Sequence, residues 1–309
     1  MNHLPIHHLL SVQDAGVVAA MRSQTAPFKG AVYGPAGREP YDAIMNNVPP
    51  PAGVTVEPGV VGGVAGVWCK PPTPRPGVCV LFLHGGGYVM GSARAYANFA
   101  GHFARHLQAT VFVADYRLAP EHPFPAAVED AAAAYRGLLQ AGATQVVVIG
   151  DSAGGGLCLS LLSLLAAEPS TTQPAAAIAM SPWTDLSNSG RSIAAKADDE
   201  LYLSKAMIDA CAAMVLAGTQ ARHPQASVLN APLHGLPPLQ IHVGTSEILL
   251  DDSLRYFELA RNAGADVALH VWEGMPHVFP NCPGVLQAAD QALELMSAFV
   301  MDRTRTHPA

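Results

Sequence analysis

The chain is poor in charge and in aromatic residues: 13% of its 309 residues are charged and 6% aromatic, while 50% are hydrophobic. That hydrophobic share excludes a disordered chain and is enough for a sizeable core. Cysteine is sparse. Cys69, Cys79, Cys158, Cys211 and Cys282 are odd in number, scattered and nowhere form C-x-x-C. A disulfide framework and a zinc site are therefore not expected, and reduced thiols of a cytoplasmic protein fit better. Lys and Arg total 17 against 24 Asp and Glu, a net charge of −7. No run of basic residues forms a patch, which argues against a nucleic-acid partner. The longest apolar helical candidate, residues 157–167, carries two serines and is too short to span a bilayer, so no membrane partner is expected. The first ten residues lack a basic n-region and an apolar h-region, so no signal peptide is expected. G-x-x-x-x-G-K-[ST], G-x-G-x-x-G and H-E-x-x-H are all missing. Phosphate-loop, dinucleotide and zinc-protease chemistry drop away with them, and neither cofactor nor metal is expected.

What the chain has is an alternation. Residues 54–57 and 64–69 read as a hairpin, followed by a proline-rich linker. Apolar, β-rich runs follow at 78–83, 110–114, 145–149, 176–180, 239–243 and 267–271. Helical patterns lie between or after them at 95–106, 126–140, 157–167, 253–263 and 285–301. Continuous apolar strands alternating with helices predict an α/β fold with a mostly parallel sheet covered on both faces. Residues 1–50 lack a good strand and read as a peripheral segment. Residues 188–225 break the rhythm with charged, helical sequence at 198–209, and read as an insertion at the edge of the sheet where such folds bind ligands. The core is thus expected in two parts, 51–187 and 226–309.

Two glycine-rich stretches carry chemistry. Gly150-Asp-Ser-Ala-Gly154 follows an apolar run and precedes a helical one, the strand–turn–helix context that G-x-S-x-G requires. Glycine two residues before and after Ser152 removes Cβ atoms that would collide in a sharp turn. Ser152 then stands exposed as a nucleophile, with the Ala153 N–H aimed at a reacting carbonyl oxygen. The second stretch, His84-Gly-Gly-Gly-Tyr-Val-Met-Gly-Ser92, follows the strand at 78–83. Its triple glycine lets backbone N–H groups turn inward to complete an oxyanion hole. His84 is fixed to this loop and reads as a brace for it.

These two motifs, with Asp115-Tyr-Arg-Leu-Ala-Pro-Glu-His-Pro-Phe-Pro-Ala-Ala-Val-Glu-Asp130 between them, resemble the hormone-sensitive-lipase family of α/β-hydrolases, mostly bacterial carboxylesterases. The resemblance covers roughly residues 50–300. It implies an α/β-hydrolase fold with a mostly parallel eight-stranded sheet, and a helical cap built from the N-terminus and the insertion. It also implies that Gly86 and Gly87, with Ala153, form the oxyanion hole, and that homodimers are common.

In this fold the triad runs serine, acid, histidine along the chain. His223 and His234 fall in the insertion's proline-rich end, and His242 and His270 lie inside strands. His277 stands just past the last strand and matches the family's loop of a histidine followed shortly by phenylalanine, so it is the expected base. For the acid, the family usually has Asp-Pro-Leu after the preceding strand. Laid on Gly244-Thr-Ser-Glu-Ile-Leu-Leu-Asp-Asp252, that pattern puts Glu247 at the catalytic position. Asp251, Asp252 and Asp185 stay open as alternatives. Asp115, Arg117, Glu121 and Asp151 read as bracing charges, Trp183 and Phe28 as core, and Tyr88 and Met90 as acyl-pocket residues. The expected activity is a serine carboxylesterase acting on small, short-to-medium acyl esters. The alternatives are an amidase or peptidase with the same machinery, and a receptor on the same fold. The plant gibberellin receptor has its triad histidine replaced, and the presence of His277 speaks against that reading.

Overall fold

The computed structural model describes residues 4–29, 34–168 and 170–305. Parts of the expected N-terminal and core segments at 1–3, 30–33, 169 and 306–309 lie outside them.

The chain begins with a short strand, β1 (Ile6–His8), and two helices, α1 (Val12–Thr25) and α2 (Arg38–Met45). A hairpin follows, β2 (Thr55–Val61) and β3 (Val64–Lys70). Strands and helices then alternate through β4 (Val78–Leu83), α3 (Ala93–Leu107), β5 (Thr110–Ala114), α4 (Ala126–Gln140), β6 (Gln145–Asp151), α5 (Ser152–Ala166) and β7 (Ala176–Met180). The insertion holds α6 (Ser192–Ala195) and α7 (Lys205–Leu216), and the chain closes with β8 (Leu239–Gly244), α8 (Leu250–Asn262), β9 (Val267–Trp272) and α9 (Gln287–Arg303).

The sheet has nine strands in the order β1-β9-β8-β7-β6-β4-β5-β3-β2. Only the β2–β3 and β3–β5 pairs are antiparallel. Its central strands β4 to β7 are apolar on both faces because both are covered. In β4, Leu81 and Leu83 face the core formed with α4, α5 and α8, while Val80 and Phe82 face the one formed with α3 and α9.

The ninth strand corrects the expectation of eight and of a strandless N-terminus. Three residues are too few to show a period-2 pattern, and β1 is held by partners far along the chain. Ile6, His7 and His8 pair in parallel with His270, Val271 and Trp272. A polar chain runs beneath this edge. Trp272 Nε1–H donates to His242 Nδ1 at 3.2 Å, so His242 keeps its proton on Nε2 and donates to Gln240 Oε1 at 3.0 Å. The Gln240 amide nitrogen donates to His270 Nε2 at 3.0 Å, leaving His270 Nδ1–H for His8 Nε2 at 2.9 Å. Every imidazole in this chain is neutral, and burial lowers the pKa of all three, that of His270 to about 4.

Two further differences are local. The expected helix at 198–209 is instead a turn followed by α7, which starts after Ser204, whose side chain accepts from the Met207 N–H. Phe28, expected in the core, is exposed.

Candidate active site

β6 ends at Asp151 and α5 begins at Ser152 with no intervening loop. Ser152 takes φ +53°, a left-handed conformation that costs a non-glycine residue energy and persists only where its surroundings enforce it. The enforcement is backbone packing. A Cβ on Gly150 would overlap the Gly154 carbonyl, and one on Gly154 would overlap the carbonyls of Leu83 and His84. Gly154 therefore serves the contact of α5 with β4 and the triple-glycine loop, as well as the turn itself. The helix starts five residues earlier than its apolar pattern suggests, because Gly154, Gly155 and Gly156 hide it.

The triple-glycine loop is tied to the same turn. Gly85 N–H donates to Asp151 Oδ1 at 3.0 Å, and Tyr96 Oη–H donates to Asp151 Oδ2 at 3.2 Å. Tyr96 in turn shares a 2.7 Å hydrogen bond with Tyr41 on α2. Burial pushes the Asp151 carboxyl up to about 7, against the pull of His277 and these donors. With Gly85 occupied, the next two N–H groups differ: among the described residues those of Gly86 and Gly87 meet no protein acceptor. Both residues have positive φ, +110° and +65°, which glycine adopts without strain. The Ala153 N–H, in the first turn of α5, has no intrahelical partner either. His84 is completely buried, stacks on Tyr116 at 4.4 Å and bonds the Gly85 carbonyl at 2.8 Å.

His277, on the loop after β9, reaches Ser152 from the other side. Its Nε2 lies 2.9 Å from Ser152 Oγ and its Nδ1 lies 2.7 Å from Glu247 Oε2. A carboxylate only accepts, so Nδ1 carries the proton and Nε2 is free to take one from Ser152. Burial alone would lower the His277 pKa. The charge and hydrogen bond of Glu247, with the charges of Glu200 and Asp151, more than offset it and raise the pKa above 6.5.

Glu247 is fully buried, and its second oxygen is also engaged. Oε1 accepts from Gly244 N–H at 2.8 Å and from Ser181 Oγ–H at 2.7 Å. Ser181 Oγ accepts in turn from Val278 N–H at 3.0 Å, so one hydroxyl aligns Glu247 and the residue after His277. Ser181 was not among the expected residues. Its only local signal is its position directly after β7, at the carboxyl end of a parallel strand where such folds assemble sites.

The alternative acids do other work. Asp252 accepts from the backbone N–H groups of Thr184 and Asp185, at 2.7 and 3.0 Å. Asp251 accepts from Arg191 and Ser192 N–H. Asp185 pairs with Arg255 at 3.1 Å and binds Ser187 and Ser189. Asp251 and Asp185 fasten the insertion to the core, Asp252 holds the segment that leads into it, and the structure brings none of the three to His277. Of the remaining charges, Arg117 pairs with Glu129 and Asp130, Glu121 with Arg38, and Asp115 accepts from Ala93 N–H at the start of α3.

Tyr88 has φ +61°, is buried, and lines a cleft with Phe124, Leu186, Val215 and Ala226 that includes none of Ser152, His277 and Glu247. Met90 is fully buried in the same core cluster as Tyr88 and does not line this cleft. The insertion lies against the site through α7. A Cβ on Gly87 would lie 3.0 Å from Cys211 Sγ. The N-terminal segment meets the insertion too, since Arg22 on α1 donates to the carbonyls of Asp198 and Asp199 at 2.8 and 2.7 Å.

A family model described as the alpha/beta hydrolase fold matches residues 80–281. An acetyl-hydrolase of Streptomyces hygroscopicus is 40% identical over 259 residues, covering 83% of this chain and 84% of its own. An esterase of Acinetobacter venetianus is 31% identical over 265 residues, 85% of this chain and 87% of its own. Among solved structures, an esterase from the bacterial hormone-sensitive lipase family superposes with a TM-score of 0.88 at 36% identity, covering 96% of this chain and 99% of its own. Fold, motifs and relatives together define a carboxylic ester hydrolase built on the α/β-hydrolase fold. Within that class, the chain belongs to the hormone-sensitive-lipase family. Among the described residues no helix is long and apolar enough to cross a membrane.

Proposed function

We propose that the protein is a serine carboxylesterase that cleaves short-to-medium acyl esters through an acyl-enzyme. The observation that carries this reading is the unbroken chain Ser152–His277–Glu247, at 2.9 and 2.7 Å, beside three backbone N–H groups without protein acceptors. Ser152 Oγ attacks the ester carbonyl while His277 Nε2 takes its proton. The new oxyanion rests on the N–H groups of Gly86, Gly87 and Ala153, each worth on the order of 10²–10³ in rate. His277, stabilised as imidazolium by Glu247, passes the proton to the departing alcohol oxygen. Water then attacks the acyl-enzyme with the same base, releasing the carboxylic acid and regenerating the Ser152 hydroxyl.

The chain-length preference rests on the family and on the relative named an acetyl-hydrolase. Segment 1–50 outside β1 and the insertion 188–225 act as the cap that narrows access. The test is a p-nitrophenyl ester series from acetate to laurate, read on wild type, Ser152→Ala, His277→Ala and Glu247→Ala, with intact-mass detection of an acyl adduct. The expected result is turnover highest for the short and medium esters, an adduct on wild type only, and a loss of ~10⁴–10⁶ in kcat for the serine and histidine variants. Wild-type rates in Ser152→Ala, or no ester turnover by wild type, would overturn the reading.

A further inference from the structure

Besides Glu247 and Asp151, a further buried carboxylate acts on His277 and has no part in the proposed reaction. Glu200 lies in the turn before α7, within the insertion, and is 1% exposed. Its Oε1 accepts from Tyr202 and Leu203 N–H at 2.9 and 3.2 Å, which folds the turn around it. Its Oε2 accepts from the Ile248 N–H at 2.9 Å. Ile248 directly follows Glu247, so this bond crosses from the insertion to the loop that carries the acid. The same turn is held from behind, where Arg22 binds the carbonyls of Asp198 and Asp199.

We propose that Glu200 is a positioning residue for ester hydrolysis: it straps the insertion to the Glu247 loop and adds a further buried negative charge to the surroundings of His277. The inference rests on the serine-hydrolase reading of the site. Three N–H donors on two oxygens is the bonding of a carboxylate. Among the described residues no Lys or Arg lies within ion-pair distance of Glu200. Its charge is therefore not cancelled locally. The desolvation that raises the Glu200 pKa is opposed first by His277. The carboxyl groups around the imidazole come from three elements: Glu247 after β8, Asp151 at the end of β6, whose carboxyl burial pushes up to about 7, and Glu200 from the insertion. Tyr202 lies near Glu200 and Cys282 near Tyr202, and burial keeps both protonated. An imidazolium forms each time Ser152 attacks, so a buried anion in this position favours the transition state over the resting site. It also makes the strength of the base depend on the insertion being docked.

The test separates this role from plain bracing by following the His277 imidazole directly. NMR titration of His277 is compared in Ser152→Ala and in Ser152→Ala with Glu200→Gln, so the readout does not depend on turnover. Removing the charge is expected to lower the His277 pKa by about 1 unit. In the enzyme with Ser152 intact, Glu200→Gln is expected to move the acid limb of kcat/KM down by the same amount and to cut kcat about tenfold with KM little changed. An unmoved His277 pKa overturns the proposal. Glu200→Asp carries the test if the glutamine variant does not fold. It keeps the charge but falls short of Ile248, so an unmoved acid limb with kcat about tenfold lower is expected, and a wild-type kcat overturns the strap. Failure of the serine-hydrolase reading would look different: Ser152→Ala or His277→Ala would retain ester turnover whatever stands at 200.

Discussion

The serine side and the acid side of the site meet at His277 and are held by different forces. On the serine side, backbone meets backbone. Gly150 lies against Gly154, Gly154 against Leu83 and His84, and Gly156 against the Trp183 carbonyl, with no room for a methyl group at any of them. On the acid side, side chains bridge separate loops. Ser181 after β7, Glu247 after β8, Val278 after β9 and Glu200 from the insertion are linked by single hydrogen bonds of 2.7 to 3.0 Å. The serine is strained and immovable, while the acid and base are aligned by polar contacts that can be removed one at a time. A nucleophile gains from a locked approach, since a displacement of about 1 Å can cost 10²-fold. An acid that only orients and stabilises an imidazolium tolerates a softer mounting.

This contrast can be broken or sharpened by substitution. The largest effect is expected from Glu247→Gln, which keeps shape but presents an amide where a carboxylate must accept from His277 Nδ1–H. A kcat about 10⁴-fold lower with a normal melting curve is expected in ester-hydrolysis and thermal-melt assays. Gly150→Ala should act on both quantities at once. Backbone overlap that cannot relax is expected to cost about 3 kcal/mol or more in stability, and kcat should fall about 10³-fold, read by chemical denaturation and esterase assay. Ser181→Ala removes one bridge and leaves the Gly244 N–H on Glu247. A loss of about tenfold to a hundredfold in kcat is expected, with stability lowered by about 1–3 kcal/mol. A Ser181→Ala as inactive as Glu247→Gln would erase the distinction between a locked side and a graded one.

Smaller effects follow from pH. As the proposed base, His277 works only when neutral, and its pKa is raised. The acid limb of kcat/KM is therefore expected above 6.5, rising with pH through that value. In stability the same raised group helps below pH 6.5, and its contribution is lost as pH climbs through the folded value. The histidines under β1 have the opposite sign. Their lowered pKa values mean the unfolded chain binds more protons, so the melting temperature should fall as pH drops from 6.5 towards about 4. His270→Gln should flatten that fall, and an equally steep fall in the variant would remove the histidine chain as its cause.

Legibility in the sequence follows the same division. The serine, the glycines around it and the alternating apolar strands are local patterns, each carried by a few adjacent residues. The third residue of the site, His277, was reachable because the order of elements restricts which loop can face Ser152. The acid was harder. Glu247, Asp251 and Asp252 stand within six residues of one another, and Asp185 also follows a strand. Only their partners separate them: Asp251 and Asp252 turn to the backbone of 184–192, and Glu247 turns to Ser181 and His277. Strand β1, Ser181 and Glu200 had no comparable local signal. Each is defined by a partner between 48 and 262 residues away.

By itself, the sequence determined the α/β layering, the strained turn at Ser152 and the loop that offers backbone donors, because periodicity and glycine spacing act over a few residues and need no distant partner. Only the tertiary structure decided which two of the three loop glycines keep a free N–H, since Asp151 takes the first. It also decided which of four acids meets the imidazole, and that a carboxylate from the insertion lies close to it. Buried polar groups must find partners wherever the folded chain supplies them, and at these positions the partners come from other strands, other loops and the insertion.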